Sequence, residues 1–195
     1  MEQEEFLDRY ESILSDGLVK LCTGAGLLQG EMMRCPDADD WWDAHIKEYI
    51  EDAVENFNEY PLAAIGWAAF LGMGVAWHWD RDWKESGAAG KLGYKSFYGS
   101  RGFDDMDENI LNKVLHLVPE QVKIVSDTIL SCSQAALGLM EHEGIETETA
   151  LGFYVLSRTY TVMFRLGVAI ELRRDGYRKV LLDPSKIIRP ETKIC

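Results

Sequence analysis

The residues best placed to do chemistry lie on the last long helical pattern. Between Thr149 and Ile170 its only charges are Arg158 and Arg165, and they share a face with Tyr154 and Thr161. If that stripe lies inside the fold, its two guanidiniums require carboxylates or a bound anion, because an unpaired buried charge is very costly. If the stripe faces water, it is an exposed edge. Residues 86–102 add Lys91, Lys95 and Arg101 among Tyr94, Phe97 and Tyr98, with glycines at 87, 90, 93, 99 and 102. Glycines and bases together could cover an anionic ligand; a plain surface loop would need none. Tyr154, Arg158, Thr161 and Arg165, with Lys95 and Arg101, are therefore the candidate ligand-binding residues, the ligand being a small anion.

A second constellation is His78 with Asp82, one helical turn apart and flanked by Trp77, Trp79 and Trp83. An imidazole held by a carboxylate can serve as a general base or a metal ligand. His45, Glu48 and Asp52 could supply further ligands, as carboxylates at helical spacing do for magnesium. The resulting alternative is a metal-dependent hydrolase. Against it, the Glu48, Glu51, Asp52 and Glu55 stripe lies opposite the apolar face of its own helix and is expected to face water. The His78–Asp82 pair also suits the end of a buried helix, and the sequence has neither a Glu-x-x-His nor a His-Glu-x-x-His pattern. The GAAGKLG segment is not a P-loop, and Asp105, Asp107 and Asn109 do not open an EF-hand, since Ile110 stands at the turn glycine. No motif fixes a reaction and no cofactor is named, so the reading leans away from an enzyme.

These residues are positioned by helices. The chain is organised around Pro61–Trp83, uncharged from Pro61 through Trp77. Ala64, Ala68, Gly72 and Ala76 form a row of small residues, while Trp67, Leu71, Val75, Trp79 and Trp83 form a bulky one, so one side admits a close backbone. Gly66, Gly72 and Gly74 each weaken a helix by roughly 1 kcal/mol, which tight packing must offset. Seventeen uncharged residues span roughly 26 Å, short of a hydrocarbon core of roughly 30 Å, so no membrane span is expected.

Apolar periodicity predicts further helices from about Glu4 to Cys22, from Asp37–Asp40 to Phe57, from the Asp104–Glu108 run toward His116, from Pro119 to near Gly144, and from about Thr149 to Arg174. Val180–Leu182 is read as a short extended piece. The expected fold is all-α, a single-domain bundle of about six helices over residues 1–195, with a Gly-rich loop at 86–102 and a basic tail from about residue 183.

The net charge of −13 repels phosphate backbones, which excludes nucleic acid as a partner. Residues 1–60 carry 16 acids and 4 bases, a net of −12. A basic C-terminal end could dock on this acidic start, within one chain or between two, although independently solvated surfaces are the simpler expectation. Cys22, Cys35, Cys132 and Cys195 form no CxxC pair, which fits reduced thiols in the cytosol. MEQEEF lacks the apolar run of a secretory signal. The expectation is a cytoplasmic, non-enzymatic module, binding a small anion or a protein partner as a homodimer; besides the hydrolase, the other alternative is a purely structural homo-oligomeric subunit.

Overall fold

The computed structural model describes residues 2–87 and 90–178. The extended piece at 180–182 and the basic tail lie outside the described residues. The fold is all-α. Six α-helices follow in order: α1 Glu2–Gly24, α2 Pro36–Phe57, α3 Pro61–Asp82, α4 Met106–Asn109, α5 Pro119–His142 and α6 Ala150–Arg174. Among the described residues there is no strand, only an isolated bridge between Gly99 and Gly102. Proline opens α2, α3 and α5, where its missing N–H costs no helical bond. At the start of α6 the Thr149 hydroxyl accepts from the Gly152 N–H instead, at 3.0 Å.

α3 is the core. From Ala64 to Ala76 every residue except Trp67 is buried. It is long and apolar enough to cross a membrane by length and composition, but 67% of the qualifying window is buried inside the protein. Its main neighbour is α6, which runs in the same direction: Ala69 faces Gly167, and Arg81 reaches Asp175 near the far end, at 3.0 Å. α2 runs antiparallel to both, as Tyr49 bonds the Ala64 carbonyl at 2.6 Å while Asp37 accepts from Trp79 at 2.8 Å. α1 lies antiparallel to α5, with Arg9 bonded to Glu143 and Cys22 Sγ 3.7 Å from Cys132 Sγ.

The small row of α3 is where this assembly closes. A β-carbon built at Gly72 overlaps the Phe164 carbonyl, whose carbon would stand 2.9 Å away, and one built at Gly167 overlaps the Ala69 carbonyl, with its carbon at 2.6 Å. Backbone therefore meets backbone at this crossing, which brings Cα–H groups near facing carbonyls. The other two glycines serve different neighbours. Gly66 leaves room for Ser133 and Ile129 of α5, and Gly74 for the Phe97 ring.

The fourth helix departs from its expected form. A 3-10 turn, Phe103–Asp105, leads into α4, and the chain then widens into a π-helical turn, Ile110–Val114. The wider turn buries Met106, Ile110, Leu111 and Leu115 together. A plain α-helix would rotate the later residues of that set away from the core.

Gly72→Ala or Gly167→Ala should lower stability by several kcal/mol, because the obstacle is helix backbone rather than a side-chain end that can turn away. Gly138→Ala, where a β-carbon meets nothing within 4 Å on α5, should be neutral or stabilising by up to about 1 kcal/mol. Urea midpoints of the three variants test the contrast.

Candidate functional site

The arginine stripe is partly buried and fully engaged. Arg158 Nη1 donates to Glu11 at 2.7 Å and Nη2 to Glu4 at 2.9 Å, with Asp8 3.7 Å away. Arg165 Nη1 donates to the other oxygen of Glu11 at 3.1 Å, and its Nε to Asp39 at 2.9 Å. Asp39 also takes two bonds from Arg34. Glu11 thus bridges two guanidiniums, and the network joins α6 to α1 and α2. The Arg158 guanidinium is held more firmly charged than usual, chiefly by its bond to Glu11. Thr161 accepts from the Trp42 indole at 3.0 Å and passes its own hydrogen to Ser157. Tyr154 is half exposed at the edge.

Lys95 and Arg101 are not brought to this stripe. Lys95 is exposed, while Arg101 lies 3.7 Å from Asp105 and 3.9 Å from Glu108. Their loop is a strap tied across α2. The Leu92 carbonyl accepts from the buried Trp41 indole at 2.7 Å, the Phe97 carbonyl accepts from Asn109, and Tyr94 donates to Asp52 at 2.9 Å. Tyr98 donates to the same Asp52 oxygen. Asp52, expected to face water, is the anchor of this strap.

His78 and Asp82 do meet, Nδ1 to Oδ1 at 2.9 Å, and Ser86 donates to that same oxygen at 2.9 Å. His45 stacks on Trp41 with ring centres 4.2 Å apart and its Nδ1 engages the Trp41 carbonyl, and Glu48 is exposed. The five residues of the metal alternative are thus dispersed among three separate arrangements. Among the described residues no group of three His, Cys, Asp or Glu side chains could hold a metal ion. The concavity beside Asp82 is lined by residues 79–85 and does not include His78.

Another concavity lies between the start of α3 and the middle of α5, with a volume of about 620 Å³. Tyr60, Trp67 and Phe70 form aromatic wall, and Leu62, Leu130 and Leu137 aliphatic wall. Gly66 leaves room for Ser133 and Ile129 of α5 to come up against α3, and all three line the groove. Glu59, Asp107 and Asp127 line it as well. Burial pushes the Asp107 carboxyl up, against opposing bonds from backbone N–H groups, that of Glu108 first, and from the Trp67 indole. Tyr60 and Leu130 remain 60% and 47% exposed, so apolar surface is left open to water. Periodicity reasoning passed over this groove because it combines two helices remote in sequence. Its one sequence signal is Leu130 and Leu137, which lie outside the core face of α5 made by Val125, Ile129, Cys132, Ala136 and Met140.

No known protein family matches this sequence, and neither a curated protein nor a solved structure does.

Arg165→Met should destabilise the protein by about 1–3 kcal/mol, since it strips a partner from two carboxylates that are largely shielded from water. Breaking the more exposed Arg34 pair with Arg34→Ala should cost about 1 kcal/mol or less. Chemical denaturation of both variants compares them.

Burial raises the phenols of Tyr10 (to about 12), Tyr49, Tyr94, Tyr98 and Tyr160. Above pH 10 the unfolded chain releases protons that the folded chain keeps. Stability is therefore full below pH 10 and falls from there upward, by about 1.4 kcal/mol per pH unit for each such tyrosine. Phenolate absorbance at 295 nm should show these five ionising together with loss of helical signal; their ionisation in a still-folded chain would contradict the assignment.

Proposed function

We propose that this chain is a non-enzymatic helical binding module whose ligand site is the groove between the start of α3 and the middle of α5. The observation that carries this reading is the groove itself: about 620 Å³, aromatic and aliphatic walls, and a few polar groups among them. Small-molecule sites have that size and lining. The arginine stripe supports a different role. An anion there would have to displace Glu11 from both Arg158 and Arg165, and Glu4 and Asp39 as well. We read those residues as the fastening of α1 and α2 onto α6.

The hydrolase alternative has less behind it. It needs His45, Glu48 and Asp52 close to His78, and each is engaged or exposed elsewhere. A cytosolic setting is supported by Cys22, Cys35 and Cys132 as free, buried thiols. A homodimer is supported by exposed apolar side chains on α5 and α6, among them Ile124, Phe153 and Tyr154.

Isothermal titration with 4-phenylbutanol, a neutral probe of suitable shape, should show one site per chain. Ala63→Trp, which places an indole in the groove, should abolish binding while the helical circular dichroism is retained. Absence of binding, or binding unchanged in a folded variant, would remove the groove as the ligand site.

A further inference from the structure

The groove is apolar over most of its wall, yet its charged residues are all of one sign. Glu59, Asp107 and Asp127 line it, and among the described residues no lysine, arginine or histidine does. Asp127 is bonded by Lys123 at 2.6 Å, but that pair is exposed and compensates little inside the groove. Among the described residues no ion pair reaches Asp107; backbone N–H groups, that of Glu108 first, and after them the Trp67 indole, itself part of the aromatic wall, turn toward its carboxyl.

Two helix ends also meet here, and their fields oppose one another. α2 finishes at Phe57 and presents its partial negative end, while α3 begins at Pro61 with its partial positive end. Each is equivalent to roughly half a charge. With those two nearly offset, the carboxylates set the sign. Aromatic faces add to the same preference, since the negative face of Trp67 or Tyr60 attracts a cation within about 6 Å. The absence of any three-ligand group among the described residues turns the choice from a metal ion to an organic one.

Resting on the reading of this groove as the ligand site, we infer that it takes a monovalent organic cation with an apolar body, an amine or quaternary ammonium whose charged head lies against Asp107 and Trp67 and whose body lies along Leu62, Leu130 and Leu137. The burial that raises the Asp107 carboxyl is consistent with this, because a cation beside it would favour the ionised form.

Three probes with one body and different heads separate this inference from the reading it rests on. Titrated into the wild-type chain near neutral pH, 4-phenylbutylammonium should bind at least tenfold more tightly than 4-phenylbutanol, and 4-phenylbutanoate more weakly than either. Asp107→Asn should bring the ammonium to within about threefold of the alcohol, and Ala63→Trp should remove binding of both. Equal affinity for ammonium and alcohol in the wild type, or tightest binding of the butanoate, would overturn the cation assignment and leave the groove standing. So would an ammonium preference undiminished in folded Asp107→Asn. Failure of all three probes to bind would overturn the groove and the inference together.

Discussion

The fold depends on one contact, the crossing of α3 and α6 at Gly72 and Gly167. Each glycine lies against a carbonyl of the other helix, so the two backbones come as near as helices can. Helices usually pack with axes 8–10 Å apart because side chains intervene; here they do not. Three glycines within α3 weaken it as an isolated helix by roughly 3 kcal/mol in all, and the close crossing is the compensation. It also fixes the rotation of α6 about its own axis. With Gly167 turned toward α3, Arg158, Thr161 and Arg165 must turn toward α1 and α2.

That orientation explains the charge distribution. The acidic first third need not repel itself into solution, because Glu4, Asp8, Glu11 and Asp39 are drawn onto two guanidiniums of α6. The partner of the acidic start is thus a pair of arginines that are the only charges of α6 from Ala150 to Ile170. Such a network contributes less through net energy than through position, since partly buried ion pairs roughly offset their desolvation. An apolar α1 face could slide along α6; one with Glu11 between two arginines has a single register.

The helices were legible in the sequence because their apolar faces repeat with a helical period and proline marks the starts of α3 and α5. The small row on α3 foretold a close backbone, and Gly72 provides it. What periodicity could not show was contact between remote segments. Asp52 stands only about 60° round α2 from Tyr49, at the edge of the apolar face, yet its spacing groups it with Glu48, Glu51 and Glu55, whose side of the helix belongs to water. Two tyrosines from a loop more than 40 residues later cover it instead. The π-helical turn at Ile110–Val114 was hidden for a related reason, since it arises from four apolar residues competing for one stretch of core. The arginines were recognised as needing partners, but sequence spacing does not distinguish a carboxylate of α1 from a diffusible anion.

The groove persists for a reason rooted in the same packing. Gly66 lets Ser133 and Ile129 of α5 come up against α3, and the groove opens beside this contact. Closing the gap would cover apolar surface now open at Tyr60 and Leu130, which hydrophobic burial favours at roughly 25 cal/mol per Å². It would also take Asp107 and Glu59 further out of water without supplying a cation, and a carboxylate so stranded costs several kcal/mol. Apolar wall draws the helices together and unpaired carboxylates hold them apart. A ligand bearing both a hydrocarbon body and a positive charge satisfies the two demands at once, which no rearrangement of the groove's own side chains can do.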